Sequence, residues 1–573
     1  MKKIIITVLI LATFLTLIPV TSGAVAGDVA RDYAKILDGL AERNIYGANS
    51  HLIDFDGDGK EELFVCWEDN WSVLFEGDRG RYEDWHYEVY SGINQVGSGV
   101  CQNLYPFSIS EKQGENGKKY FVREGFRVDS DETMTFTLKN GVWEQVDSFR
   151  LIEDYRDGSG TEISVNGNAV TREEYYEEKF KYTSVCDLRE KSSVRDFVIK
   201  SVDLQIPGYK DIYQNMPQKE QQAMFDDFLD DIAFTVKSFD SASATDEEIV
   251  TLFENLYMDT DFPGDPWQFK TSEFTKLTQD CLGRTVNYPD FEIYREPTSE
   301  DWGYKSVYHN DTFYLCQPQR GSMEGFQPDM GAGRMVYDLG GNNYYAAFRL
   351  EGNDQYEWVE GPFGAIVRKN AEGKYRLVKL GFPLTKAELE EFVNPSEWAK
   401  DELFEAEKAG LIPELSGNPF WKENATRLQF AQLAVNFAEK LTGKKLASAP
   451  DSTFDDCSEE AVLKAYKAGI INGTSAATFS PDDKLTREQL ATMLWRTVDY
   501  VQNATKKQKL TSDGNLSGYD DASEVSDYAQ EAVAALVKNG IMKGTSDSML
   551  SPQGSCTVEQ SVLLTYRTYT KMK

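Results

Sequence analysis

Asp54-Phe55-Asp56-Gly57-Asp58-Gly59-Lys60-Glu61-Glu62 places an oxygen donor at every second position. Asp54, Asp56 and Asp58 supply carboxylates, Lys60 a backbone carbonyl and Glu62 a further carboxylate. Such a set of hard oxygen ligands suits Ca2+, and Gly59 allows the sharp turn. Val65 stands where an EF-hand carries its bidentate glutamate, so this is not an EF-hand. The plain alternative is an Asp/Gly-rich turn. A second pattern lies near the C-terminus, where Arg427 and Arg487 each follow a threonine in Thr426-Arg427-Leu428-Gln429 and Thr486-Arg487-Glu488-Gln489. Thr-x-x-Gln is a helix capping box, which puts each arginine at the first helical position. A guanidinium there, beside unpaired amides and the positive helix end, suits a small anion such as a sugar-borne carboxylate. The plain alternative is an arginine solvated at the surface.

The elements that position these arginines recur. Ala409-Gly410-Leu411-Ile412, Ala468-Gly469-Ile470-Ile471 and Asn539-Gly540-Ile541-Met542 each precede a capping threonine: Thr426, Thr486 or Thr557. Each glycine closes a predicted amphipathic helix (Trp398–Ala409, Glu459–Ala468, Ser526–Asn539), where a left-handed residue favours Gly. The helix after Thr426 carries the stripe Phe430, Leu433, Ala434, Phe437 and Leu441. One such helix–loop–helix cannot bury its stripe alone, whereas three packed together can.

Phe454-Asp455-Asp456 and Tyr519-Asp520-Asp521 open the second and third repeats. Gly473-Thr474 and Gly544-Thr545 follow their first helices, and Phe479-Ser480-Pro481 and Leu550-Ser551-Pro552 precede their second. With these features the chain from about 393 to 573 resembles the S-layer homology (SLH) family. That resemblance implies an all-α, pseudo-threefold module of three repeats, at 393–442, 450–502 and 515–573. Its grooves would bind secondary cell-wall polysaccharide or another peptidoglycan-linked polymer, often through pyruvylated sugars, and tether an exported protein. Arg427, Gly473, Thr474, Arg487, Gly544, Thr545, Asp455 and Asp520 are the implied binding residues. Gly473 and Thr474 are expected beside Arg487 in the best groove, with Arg427 in a second. Departures are visible: Pro413-Glu414 replaces Gly-Thr in the first repeat, Val558 replaces the arginine in the third, and Cys457 replaces an aromatic in the second. At most two grooves are expected to be competent.

Upstream, two α+β, β-rich domains are expected at 27–205 and 241–392, joined by a bridging helix within 206–240. Helix Asp28–Glu42 carries Val29, Tyr33, Ile36, Leu37 and Leu40 on one face, and the Asp-rich loop lies between strand-like flanks at Leu52-Ile53 and Leu63-Phe64-Val65. That arrangement resembles the calcium hairpin of FG-GAP or integrin-type propeller repeats, here in one copy. Asn140-Gly141 and Asn166-Gly167 mark hairpin turns. Apolar spacing over 217–239 predicts one amphipathic helix, and a tyrosine-rich β segment with Tyr344, Tyr345, Trp302 and Trp358 follows.

The chain of 573 residues carries −34, with only three histidines, and 41% hydrophobic against 27% charged residues is globular composition. So acidic a chain is a poor nucleic-acid binder, and few histidines leave little for a zinc site or a triad. Met1-Lys2-Lys3, the apolar run Ile4–Val20 and the end Ala24-Val25-Ala26 read as a secretory signal at 1–26. No later run reaches about 18 apolar residues, so no membrane span is expected after cleavage. The expectation is a secreted protein at the cell wall or surface of a Gram-positive-type bacterium. No nucleophile elbow, P-loop, Rossmann fingerprint or zincin motif occurs, so no enzyme is expected. An SLH-tethered cell-wall or polysaccharide hydrolase is the alternative.

Overall fold

Two Asn-Gly pairs fix where the N-terminal strands reverse. Asn140 and Gly141 (φ 53° and 74°) and Asn166 and Gly167 (φ 52° and 77°) are all left-handed, the geometry a two-residue hairpin requires. The computed structural model describes residues 27–69, 84–101, 107–153, 161–187, 198, 201–256, 267–286, 307–315, 333–350 and 361–573, apart from 44, 46–47, 57, 59, 115–117, 128–129, 237, 310–311 and 371. The segment read as a secretory signal, Gly59, Trp302 and Trp358 therefore lie outside the described residues. The chain divides into two compact units, one up to Leu204 and one from Gln205, with 327–332 and 349–362 counted in the first.

In the first unit, strands Asn49–Ile53, Glu62–Asp69, Asp84–Ser91 and Asn94–Cys101 form an antiparallel sheet in chain order. A seven-stranded sheet follows. Its strands from Phe107–Gln113 to Asn168–Ala169 lie in chain order, and Thr183–Asp187 returns to pair with Phe107–Gln113. Phe55, Phe64, Tyr87, Val89, Phe121 and Leu138 form one buried cluster, and Thr137 Oγ1 in the seven-stranded sheet donates 2.7 Å to Phe55 O in the loop after Ile53. Helix Gly27–Glu42 buries Ala30, Tyr33, Ala34, Leu37 and Leu40, while Val29 and Ile36 are only half-buried.

In the second unit, strands Phe239–Asp240, Tyr375–Gly381, Gly361–Lys369, Asn343–Leu350 and Met335–Gly340 form a five-stranded sheet in that order. The helix expected over 217–239 is broken: α-helix Gln218–Met224, a π-helical turn at Phe225–Leu229, then α-helix Asp230–Thr235. A buried ion pair sits at the break. Arg334 donates to Asp226 Oδ1 (2.9 Å) and Asp230 Oδ2 (2.6 Å), with Asp230 fully buried. The segment lies inside the second unit rather than between two, packing Phe225 on Phe348 of the sheet at 5.6 Å. Tyr345 is core, as alternating strand aromatics usually are.

The C-terminal helices form as the caps dictate. Thr426, Thr486 and Thr557 each accept the amide three residues on, and Gln429, Gln489 and Gln560 reach back to the cap amide. Helices Arg427–Thr442, Arg487–Thr505 and Val558–Met572 follow, preceded by Lys400–Lys408, Glu460–Lys467 and Gln530–Lys538. Trp398 and Ser526 thus precede their helices rather than open them. Gly410, Gly469 and Gly540 close the first helices at φ 63°, 73° and 62°. All six helices contribute to one core cluster that includes Phe430, Phe437, Leu463, Leu494, Leu536 and Val562. Each cap segment pairs with the next repeat: Thr426 with Lys484, Thr486 with Ser555, and Thr557 with Asn424, so the pairing closes on itself.

Candidate functional site

The acidic loop joins two paired strands, with Ile53 opposite Glu62. Asp54, Asp56 and Asp58 bring carboxylate oxygens within 4.8 Å of one another. The Asp58 amide donates to Asp56 Oδ1 (3.0 Å) and the Lys60 amide to Asp58 Oδ1 (2.7 Å). Glu62 is buried and accepts the Phe55 amide at 3.0 Å. Burial pushes its pKa up to about 7; the Phe55 amide opposes this, and the charges of Asp56, Asp54 and Asp58 add to it.

In the C-terminal module each arginine addresses the loop of the following repeat. Arg427 Nε donates to Phe479 O (2.8 Å) and Nη2 to Asn472 O (2.9 Å), and its guanidinium lies 4.7 Å from the Phe479 ring centroid. Arg487 does the same one repeat later, with Nε on Leu550 O and Nη2 on Lys543 O, both 2.8 Å. The expected grouping is therefore corrected: Gly473-Thr474 lies beside Arg427, and Gly544-Thr545 beside Arg487. The physical reason is the ring of pairing, which sets each second helix against the next repeat.

A further correction concerns the helix ends. The amides expected to be unpaired are taken, Arg427 N by Asp483 O, Leu428 N by Pro481 O, Arg487 N by Gly554 O and Glu488 N by Pro552 O. The helix N-terminus therefore offers no anion seat. What remains at each site is the third guanidinium nitrogen, Nη1, and a cluster of hydroxyls. Burial lowers both arginine pKa values, opposed by Asp483 and Asp456 at Arg427 and by Cys556 and Asp521 at Arg487. A guanidinium stays charged through such a change.

The hydroxyls are held by a built loop. Thr474 Oγ1 lies 2.8 Å from Ser480 Oγ and 3.1 Å from Thr478 Oγ1, and Thr545 Oγ1 lies 2.7 Å from Ser551 Oγ. Ser480 and Ser551 are left-handed (φ 58° and 50°) immediately before proline. A non-glycine residue there is strained and needs support. Asp456 supplies it by accepting the amides of Phe479 (2.8 Å) and Ser480 (2.7 Å), and Asp521 by accepting those of Leu550 and Ser551. Asp455 and Asp520, the partners singled out in the sequence, are exposed and do not make these contacts. Nothing in Asp-Asp says which member caps the loop. The serine positions were legible only as part of Ser-Pro.

Residues 454–491 and 518–557 match the family model of the S-layer homology domain. These two repeats are S-layer homology domains. The chain is 28% identical over 186 residues to the Surface-layer 125 kDa protein of Lysinibacillus sphaericus, covering 32% of this chain and 15% of that protein. It is 34% identical over 118 residues to an Endoglucanase of Bacillus sp. (strain KSM-635), 20% of this chain and 12% of that one. Against Exoglucanase XynX of Acetivibrio thermocellus it is 23% identical over 170 residues, 30% and 15% of the two chains. The matches thus span about an eighth of these relatives' lengths. Neither family-matched segment covers the acidic loop. The S-layer homology match and the surface-layer relative support a cell-surface or cell-wall location in bacteria. Among the described residues no helix is long and apolar enough to cross a membrane.

One inter-repeat contact within the SLH module is expected to weaken in acid. Glu488 accepts Ser526 N (2.9 Å), Ser526 Oγ (2.8 Å) and Tyr528 OH (2.9 Å). Burial raises its pKa, but the Ser526 and Tyr528 bonds outweigh this and the net shift is downward. A depressed folded pKa gives stability that is present above the unfolded value, about 4.3, and is lost as pH falls through the folded value. Thermal denaturation between pH 6 and 3 should show this loss, and Glu488→Gln should flatten it.

Proposed function

We propose that the SLH module is a pseudo-threefold anchor that holds the secreted protein non-covalently on secondary cell-wall polysaccharide of a Gram-positive-type envelope. Two sites of like layout would do this, one around the half-buried Arg427 with Gly473, Thr474 and Ser480, the other around Arg487, only 7% exposed, with Gly544, Thr545 and Ser551. The observation that carries the reading is the repetition: the same arginine, strained serine and supporting aspartate occur twice, which a purely structural loop does not require. At each site Nη1 can bind a ketal carboxylate while the hydroxyls meet sugar oxygens. The overall charge of −34 opposes an anionic polymer, but screening beyond about 8 Å leaves the decision to local groups. Co-sedimentation of the full chain with purified sacculi tests it: binding is expected, and stripping the secondary polysaccharide from the peptidoglycan should remove it. Equal binding to stripped sacculi would refute the polymer assignment.

The acidic loop is read as a structural Ca2+ site of Asp54, Asp56, Asp58, the Lys60 carbonyl and Glu62. A divalent cation would offset the three converging aspartates, with the buried Glu62 adding negative charge nearby. Calcium at ~100 times its dissociation constant would add about 2.7 kcal/mol to the first unit. Its melting transition should rise by several degrees with calcium and fall with chelator; a melt indifferent to both would count against the site.

A second reading, a wall-tethered polysaccharide hydrolase, draws on relatives named Endoglucanase and Exoglucanase, whose matches cover 20% and 30% of this chain. Release of reducing sugar from cellulose or wall glycan by the full chain would favour it over a non-catalytic anchor.

A further inference from the structure

The inter-repeat position has a third occurrence, and its chemistry is different. Backbone register defines it. Glu559 N donates to Trp421 O as Leu428 N does to Pro481 O and Glu488 N to Pro552 O. Glu423 N likewise donates to Phe420 O, as Asp483 N does to Ser480 O and Gly554 N to Ser551 O. Phe420 therefore stands where the other two loops carry Ser480 and Ser551, and Val558 where they have Arg427 and Arg487. The arginine and the serine of the other two sites are both replaced by apolar side chains.

We propose that this third position is a docking seat for the five-stranded sheet and the helix Lys386–Val393 that precede the repeats in the same compact unit, called here the middle domain, and that the middle domain occupies it permanently in place of a ligand. Phe420, 6% exposed, packs edge-to-face on Phe392 at 5.1 Å, and the Arg368 guanidinium covers its ring at 5.4 Å. Arg368 also forks onto Glu423, with Nη2 at 2.6 Å and Nη1 at 3.3 Å from the carboxylate oxygens. Its Nε donates to Asn343 Oδ1 (2.7 Å), and Asn343 Nδ2 donates to Asn418 O (3.1 Å). The turn fits closely, since a Cβ on Gly341 would stand 3.1 Å from Asn418 Cβ. A bidentate, partly desolvated pair built around a covered aromatic is the composition of a specific interface. The tether and the middle domain then move as one body, so attachment fixes that domain's orientation. The count of two remaining ligand positions rests on the wall-binding reading; the docking does not.

Charge reversal in the full chain tests the seat. Arg368→Glu and Glu423→Arg, singly, should speed protease cleavage at the start of the first repeat, 394–398, by roughly ten-fold or more, as opening becomes easier. The double reversal should restore protection by re-forming the pair with opposite polarity, and this rescue separates docking from general misfolding. Cleavage as slow in both single variants as in the wild type would overturn the proposal. So would a double variant cut as fast as the singles. The readout needs no wall polymer, so it stands or falls separately from wall binding.

Discussion

Replacing Arg427 and Arg487 together with alanine is expected to abolish retention of the full chain on sacculi, with each single variant weakening it. A hydrogen bond to a charged group contributes about 1.5–3 kcal/mol, so losing the ligand-facing bond at one site costs roughly 10- to 100-fold in affinity. Both arginines also hold loops through two carbonyls each, Asn472 and Phe479 or Lys543 and Leu550. Alanine therefore loosens the loop as well as removing the charge. Thr474→Val with Thr545→Val separates the two roles, because it removes exposed hydroxyls and leaves both guanidinium bridges in place. Weaker retention in the threonine pair, with only a small fall in melting temperature because the lost loop bonds are exposed, is the expected pattern.

Gly544→Ala should destabilise the SLH module by about 1–3 kcal/mol, toward the upper end, because the intruding methyl meets backbone. Its Cβ would lie 2.3 Å from Ser546 O and 2.6 Å from Met549 O, neither of which can rotate away. At about 2–4 °C per kcal/mol for a domain of this size, the melt should fall by roughly 5–10 °C. Gly473→Ala should behave alike, with contacts of 2.5 and 2.6 Å to Ser475 O and Thr478 O. Gly540→Ala is the contrasting control. Its φ of 62° disfavours alanine, but nothing lies within 4 Å, so the cost should stay near 1 kcal/mol. Calorimetry of the three variants ranks them directly.

The parts legible in the sequence were those set by local chemistry. Thr-x-x-Gln fixed three helix starts, Gly410, Gly469 and Gly540 their predecessors' ends, and Asn-Gly two hairpins, because caps and turns depend on a few neighbouring residues. What was not legible depended on partners far along the chain. Arg427 looked free at a helix start, yet its partners Asn472 and Phe479 are 45 and 52 residues on. The same pairing used up the amides at the helix ends. Asp456 and Asp521 could not be told from Asp455 and Asp520, since orientation follows from the strained loop each one caps. The π-turn at Phe225–Leu229 breaks no apolar periodicity and became visible only with Arg334 in place. Nothing local to Phe420 marks it as standing at a serine's position; the backbone register does.

Titration calorimetry of the full chain with soluble, ketal-bearing fragments of the wall polymer tests the anchoring mechanism most directly. Two molecules bound per chain are expected, falling to one in Arg427→Ala or Arg487→Ala and to none in the double variant. Undiminished binding in a double variant that keeps its helical circular dichroism would contradict it.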